Sequence, residues 1–264
     1  MGESADLVRQ LQLMLLGGFT LLHGPEEILL PLSVQRLIAL LALRDRPLSR
    51  TYLAGVLWPD CPVERSLADL RTALWRARNA PVGVLVSSGM CVRLDAQVQV
   101  DVRSLVAWGR ATTDRAERSI IAEFAGISWI ELSLDLLPGW DDDWLMDDRE
   151  DIRQLRLHAL EHLSDELSMH GRHAEAIQTA LGAVRLDPLR ETAHAALIKA
   201  HLAEGNRSEA LRQFFRCREV LTAELAVEPS AWIRRLIPIP WLQDPDWQAD
   251  LVELMSRRAM LPRS

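Results

Sequence analysis

A short motif occurs twice in the chain at an interval of 34 residues, and this interval restricts the fold more than any other feature. The first copy reads Gly-Arg-His-Ala-Glu-Ala-Ile from Gly171, and the second reads Gly-Asn-Arg-Ser-Glu-Ala-Leu from Gly205. This period is typical of tetratricopeptide repeats, in which each unit is a pair of helices. Apolar spacing predicts four helices over residues 151–225. We therefore predict stacked helical hairpins there; a generic helical bundle is the alternative.

Small and helix-ending residues agree with that period. Ala176, Ala183 and Pro188 have the spacing of the repeat's small-residue and helix-end positions, where small side chains let paired helices approach closely. In the second unit Thr222 stands where the proline would be. We expect the last helix to continue to about Leu225 for that reason.

The N-terminal part of the chain has a different pattern. Short apolar stretches broken by glycines between Leu11 and Leu30 predict a small antiparallel sheet. Ser33 and Ser49 are predicted to cap two helices, and a third is predicted from about Val63 to Arg78. A hairpin follows, in VGVLVSS and MCVRLDAQVQVDV. Sheet, three helices and hairpin describe a winged helix-turn-helix.

These patterns predict a mainly α-helical protein with small β elements. A winged helix-turn-helix is expected at residues 10–105, followed by a tetratricopeptide-like α-helical repeat domain at 106–230. Residues 231–264 are expected to be a C-terminal tail to which we assign no role. Residues 101–150 include LLPGWDDDWLMDD, and we expect this part to be a connector that packs on the helices after it.

The charge is divided unevenly between these parts. The whole chain carries a formal net charge of -7, but residues 1–110 carry 12 Arg against 10 Asp or Glu. The remainder carries 18 Lys or Arg against 27 Asp or Glu. Only the N-terminal part is therefore a candidate for nucleic-acid binding.

The helix predicted over residues 63–78 has a core face and a polar face. At 100° per residue, one face holds Leu67, Leu70, Leu74 and Ala77. The opposite face holds Arg65, Asp69, Thr72 and Arg76, and a flank holds Arg71, Trp75 and Arg78. We expect the three flank residues to hold the DNA backbone or brace the wing and not to read bases. In a major groove, Arg can pair with guanine edges, and Arg or Thr can hold phosphates. A surface helix with salt bridges would show the same pattern, but the order of the surrounding elements favours DNA recognition.

Other motifs give weaker support for chemistry. His158-Ala-Leu-Glu-His162 matches one zinc-peptidase pattern, but no third ligand is evident, and Leu residues of the same helix supply a core stripe. The acidic residues of the connector lack the spacing of a calcium loop and are interpreted as a solvated acidic turn; they are Asp141, Asp142, Asp143, Asp147 and Asp148. Three widely spaced cysteines support neither a disulfide framework nor a zinc site. We expect no enzymatic activity, no cofactor and no metal.

The longest apolar run, Leu37 to Leu43, is too short to span a bilayer, and the first ten residues lack the order of a secretion signal. The expected location is the cytoplasm.

Several segments resemble one family of bacterial transcription activators, the AfsR-type or Streptomyces antibiotic regulatory proteins, over about residues 10–230. In the N-terminal part they are LLGGFT from Leu15, LWPD from Leu57, LRTALWRAR from Leu70 and VRL from Val92. In the second part they are LLPGW from Leu136, LRLHALE from Leu155, AHAALI from Ala193 and AEGNR from Ala203.

The resemblance implies an OmpR-like winged helix followed by a bacterial transcriptional activator domain. Its third helix is expected to enter the major groove of double-stranded DNA, and its hairpin, the wing, to contact the neighbouring backbone or minor groove. By position, the recognition-helix candidates are Arg65, Arg71, Thr72, Arg76 and Arg78. Arg93 becomes a wing contact, and Arg50, at a helix N-terminus, a phosphate contact.

Such regulators bind direct repeats beside a promoter and recruit RNA polymerase holoenzyme, often for secondary-metabolite gene clusters. We expect the helical module to mediate self-association as a homodimer or contact with the polymerase, and the protein to be associated with the nucleoid. The alternative is an interaction scaffold whose winged helix no longer binds DNA.

Overall fold

The computed structural model describes residues 10–113 and 134–238, which fall into two compact units. The first unit contains the described residues up to Leu155, and the second begins at Arg156. This division differs from the predicted boundary between residues 105 and 106, because residues 134–155 group with the N-terminal unit. No helix in the described ranges is long and apolar enough to cross a membrane.

The first unit opens with a four-stranded sheet. Its strands are β1 (Leu11–Met14), β2 (Thr20–His23), β3 (Glu26–Glu27) and β7 (Gln99–Val100), in the order β3-β2-β1-β7. Strand β1 pairs antiparallel with β2 and parallel with β7. In β1 and β2, Leu13 faces Leu21 and both side chains are buried. Because successive side chains of a strand point to opposite faces, these two leucines lie on the buried, apolar face of the sheet.

Three helices and a hairpin follow, as predicted, but the end of the predicted hairpin segment, Gln99–Val100, forms β7 of the first sheet. The helices are α1 (Leu32–Arg44), α2 (Arg50–Leu57) and α3 (Val63–Arg78). The hairpin consists of β5 (Leu85–Ser88) and β6 (Cys91–Leu94), and the short strand β4 (Leu48–Ser49) pairs with β6.

One of the two predicted helix caps is confirmed. The side chain of Ser49 accepts a hydrogen bond from the backbone N–H of Tyr52 at 3.2 Å, which caps α2. The predicted cap at Ser33 is wrong, because α1 already begins at Leu32 and Ser33 lies inside the helix. Its cap position is Pro31, whose ring fixes the backbone angle before the helix but offers no side-chain acceptor.

Residues 134–155 pack on the N-terminal elements, whereas the sequence led us to expect packing on the later helices. Leu16 forms a β-bridge with Leu136, and the backbone N–H of Gly17 donates to Asp135 O at 2.7 Å. Gly17 has a φ of 78°, and a side chain there would press on Leu134. The segment is therefore joined to the end of β1.

Acidic residues of the same segment bind α1. Asp142 forms an ion pair with Arg36, and Asp148 forms one with Arg44 at 2.5 Å. Trp144 Nε1 also donates to Asp142 at 3.0 Å. The interpretation of this segment as a merely solvated acidic turn is therefore wrong for Asp142 and Asp148, whose carboxylates hold the segment on α1.

The remaining helices include those of the repeat. They are α4 (Asp101–Thr113), α5 (Met146–Met169), α6 (His173–Leu186), α7 (Glu191–Glu204), α8 (Arg207–Leu225) and α9 (Ala231–Arg234). The four helices predicted over residues 151–225 are present, and the last of them ends at Leu225 as predicted. Gly171 and Gly205 take positive φ values of 74° and 86° after α5 and α7, where the chain must turn.

Small side chains are packed between the repeat helices. Ala176, Ala180 and Ala183 of α6 and Ala196 of α7 are buried. The apolar core between α7 and α8 also includes Ile233 and Ile237. Residues 231–238 thus pack in the second unit, whereas we had assigned them to a tail; the rest of that predicted tail, 239–264, lies outside the described residues.

Candidate nucleic-acid interface

Helix α3 packs mainly on α2 and also on α1, and its buried face differs from the predicted one. The buried residues are Ser66, Leu70, Ala73, Leu74 and Ala77. The prediction had Leu67 in this set, but that side chain is only half-buried. Ser66 is accommodated because its hydroxyl donates to Val63 O at 3.0 Å. Small residues at positions 66 and 73 allow close approach of the neighbouring helices. A face assigned mainly from the leucine positions does not include these two residues.

This difference rotates the outward face of α3. At about 100° per residue, the observed buried face is centred about 35° away from the predicted one. Trp75 then lies about 25° from the centre of the outward face, and Thr72 about 35° from it on the other side. Trp75 had been placed on a flank, and this placement is corrected. Asp69 moves to about 95° from the centre, where its side chain is half-buried.

Arginines lie on both sides of this central pair. Arg71 and Arg78 lie on the side of Trp75, and Arg65 and Arg76 lie on the side of Thr72. All four are exposed. The outward face of α3 therefore has an apolar and hydroxyl centre with arginines on both margins. Asp69 does not interrupt it, but the exposed Glu64 of the first turn lies about 45° from its centre, on the side of Trp75.

Most candidate arginines carry no internal partner. Among the described residues, Arg65, Arg71, Arg76 and Arg93 form no ion pair or side-chain hydrogen bond, whereas Arg36 and Arg44 are held by carboxylates. An unpaired exposed guanidinium keeps its five N–H donors for an outside acceptor.

Two hydrogen bonds join the hairpin to the helices. Arg78 Nη2 donates to Ser87 Oγ of β5 at 3.0 Å. The backbone N–H of Arg50 donates to Met90 O, in the hairpin turn, at 3.0 Å. Arg93 is exposed on β6 opposite Val86, next to the Ser87–Val92 pair. The structure thus brings the C-terminal end of α3 to the hairpin and the start of α2, where Arg50 is half-buried, to the hairpin turn.

The hydroxyl of Thr72 is already used as a donor. Its Oγ1 donates to Ala68 O at 3.1 Å, one turn earlier in α3. A hydroxyl has one proton and two acceptor positions, so Thr72 in this state can only accept further bonds. Base amino groups fit that requirement, whereas phosphate oxygens do not.

The zinc-peptidase pattern, His158 to His162, has a structural explanation. Glu161, the acid of the zinc-peptidase pattern, accepts from Arg190 Nε at 2.7 Å and from Thr192 Oγ1 at 2.6 Å. His158 of the same pattern is exposed. No group of three or more potential metal ligands occurs in the part of the chain that the structure describes. Glu161 therefore links α5 to the start of α7.

The chain is similar in sequence to proteins that are named as regulators. Residues 123–238 match the family described as the bacterial transcriptional activator domain. The chain is 29% identical over 202 residues to the regulatory protein AfsR of Streptomyces griseus, covering 73% of this chain and 20% of AfsR. It is 30% identical over 213 residues to AfsR of Streptomyces coelicolor, and this match covers 76% of this chain and 21% of that AfsR. The chain thus spans about a fifth of the length of these relatives.

A solved structure gives a wider match at lower identity. It is described as Mycobacterium tuberculosis EmbR in complex with a low affinity phosphopeptide. The TM-score is 0.65 at 20% identity, and the match covers 94% of this chain and 72% of that chain. At this identity the match shows the fold alone. The predicted winged helix followed by a helical repeat domain is confirmed, as is the resemblance to AfsR-type regulators. The two sequence relatives are named as regulatory proteins, and the matched family is described as a transcriptional activator domain.

Proposed function

We propose that this chain, which is similar to AfsR-type regulators and carries a bacterial transcriptional activator domain, binds double-stranded promoter DNA and activates transcription. The first unit reads DNA, with α3 in the major groove and the β5–β6 hairpin on the neighbouring backbone. The site residues are Arg50, Arg65, Arg71, Thr72, Arg76, Arg78 and Arg93. A protein with this role acts in the cytoplasm at the nucleoid.

The observation that carries this proposal is the set of unpaired arginines on α3 and β6. Carboxylates of the same unit pair with other arginines. Arg36 and Arg44 of α1 use such carboxylates, yet Arg65, Arg71 and Arg76 do not. Phosphates supply most hydrogen bonds in protein–DNA interfaces, and an α-helix of about 10–12 Å diameter fits a major groove about 12 Å wide.

We assign the second unit to contact with RNA polymerase holoenzyme, to self-association as a homodimer, or to both. The description of the family matched by residues 123–238, a transcriptional activator domain, supports this assignment. Binding to direct repeats beside a promoter would place several copies next to the polymerase, and a secondary-metabolite cluster is the proposed class of target.

The test is selection of duplexes from a random pool with the full chain, followed by titration at several salt concentrations. We expect one enriched site. For each phosphate that the protein neutralises, log K should fall by about 0.9 when the salt concentration rises tenfold. A pool without any enriched site contradicts the proposal and favours the interaction scaffold.

Arg76→Ala separates base reading from phosphate binding on the enriched duplex. If Arg76 pairs with guanine, affinity falls by about 1 to 3 kcal/mol and preference relaxes at one base pair. A uniform loss across sequences, with a salt slope smaller by about one, makes Arg76 a phosphate contact. The matched control is Arg185→Ala, an exposed arginine of α6 in the second unit, which should bind like the unchanged protein.

A further inference from the structure

We infer that Trp75 reads a thymine methyl group in the major groove. This inference rests on the proposed DNA-binding function and adds a specificity-determining residue that the sequence pattern had placed on a flank. The contact is apolar, between the indole ring and the C5 methyl of thymine.

The side chain of Trp75 is unusually open to solvent. It is 67% exposed, although it lies in a helix whose opposite face is well buried. Its neighbours one and two turns earlier are Thr72 and Ala68, both small, so they leave the ring open to solvent. A large aromatic ring exposed to water contributes little to the stability of the folded state. Its burial against a partner lowers the free energy of the complex.

The position of Trp75 within its face favours duplex DNA as that partner. It lies nearest to the centre of the outward face among the large side chains of α3, with arginines on both margins. The four arginines outnumber Glu64, the exposed carboxylate on the side of Trp75, so the face is positive overall. These arginines would hold the two phosphate backbones, which directs the central side chains toward the base edges. The charge pattern therefore commits the face to duplex DNA over a neutral apolar partner.

The chemistry of the groove floor identifies the group that the ring contacts. Among the base edges of the major groove, the thymine C5 methyl is the apolar group, and apolar side chains select it. Asn79 Nδ2 donates to Trp75 O at 3.0 Å, which helps to fix the backbone at the end of α3 that carries the ring.

The experiment uses the full chain and the duplex enriched from a random pool. In that duplex each thymine is replaced in turn by deoxyuridine, which removes only the methyl group. We expect one or two of these replacements to lower the affinity of the unchanged protein about fivefold or more, the size of a single mismatch. Trp75→Ala should lose affinity for the thymine duplex to a similar extent and should no longer distinguish deoxyuridine from thymine.

Two further variants serve as controls. Trp232→Ala removes a 43% exposed tryptophan of the second unit and should leave DNA affinity unchanged. Trp75→Phe keeps an apolar ring and should retain part of the thymine preference. Because Trp75 is exposed, thermal unfolding of Trp75→Ala should match that of the unchanged protein, so a loss of binding does not reflect loss of fold.

The possible failures are distinct. An enriched duplex without thymine at the centre, or full thymine preference in Trp75→Ala, overturns the inference and leaves the proposed function intact. Normal DNA binding by Trp75→Ala with reduced transcription also overturns it and assigns the ring to a protein partner. Absence of any enriched duplex contradicts the proposed function itself and the inference with it.

Discussion

The buried side chain of His194 shows how a single residue of the second unit can couple stability to pH. Its Nε2 donates to Pro188 O at 2.8 Å, and its Nδ1 then accepts from Gln213 Nε2 at 2.6 Å. This pattern needs the neutral ring, since a proton on Nδ1 would meet the amide N–H of Gln213. Burial lowers the pKa of His194 below its usual 6.5, and the nearby Arg216 acts in the same direction.

The folded state therefore releases the His194 proton more readily than the unfolded chain does. Stability from this group is complete above about pH 6.5 and decreases as the pH falls, because the unfolded state takes up the proton first. We expect denaturant unfolding of the second unit to require less denaturant at about pH 5.5 than at about pH 7.5.

His194→Gln tests that expectation against an exposed histidine. The variant should be less stable near neutral pH but should show a smaller change with pH. His158→Gln, on the exposed face of α5, should keep the pH dependence of the unchanged protein. An equal pH dependence in all three proteins would mean that other groups, not His194, bind the proton.

At the scale of elements, the bond between α3 and the hairpin connects two parts of the proposed interface. Arg78 donates to Ser87, which lies beside the Val86–Arg93 pair. The sequence led us to expect that Arg78 braces the wing or holds backbone, and the observed bond is consistent with bracing. Because Ser87 is uncharged, its truncation removes this bond without removing any positive charge.

Ser87→Ala should reduce affinity for the enriched duplex about two- to tenfold, since a typical hydrogen bond contributes about 0.5–1.5 kcal/mol. With Arg78→Ala the double variant should lose less than the sum of the two single losses. Ser88→Ala, on the same strand, is the control and should bind normally. Strict additivity, or unchanged binding by Ser87→Ala, would show that the bond does not position the wing.

Packing also explains why the polar face of α3 was only partly predictable. The sequence located the helix from Val63 to Arg78 and its leucine stripe, and the structure has the same bounds. The direction of its outward face depended on Ser66 and Ala73, which are buried by contact with neighbouring helices and carry no strong apolar signal. Periodicity weighs residues by hydrophobicity and therefore misjudges faces built from small side chains.

At the scale of the whole chain, the boundaries of the packed units differ from those expected. Ile233 and Ile237 lie beyond the last repeat helix but within its apolar core. Ser230 binds Glu191 of α7 through its backbone N–H and its hydroxyl, at 2.9 and 2.6 Å, and so holds the start of α9 in place.

Ile233→Ala should lower the free energy of unfolding of the second unit by about 2 to 5 kcal/mol, because it leaves a cavity in that core. Trp232→Ala, at the adjacent but partly exposed position, should change it by less than about 0.5 kcal/mol. Chemical unfolding of the full chain measures both. Equal, small effects would support the original expectation that this segment is a tail outside the repeat domain.

The sequence by itself determined the order and kind of the elements: a sheet, three helices and a hairpin, then paired helices at a 34-residue interval. These features follow from local periodicity, glycine turns and small residues, which act over a few helical turns. Only the tertiary structure decided that residues 134–155 join the N-terminal unit and that Trp75 is central on α3. Such outcomes depend on contacts between residues far apart in the chain, for example Arg36 with Asp142, and local patterns carry no information about those pairings.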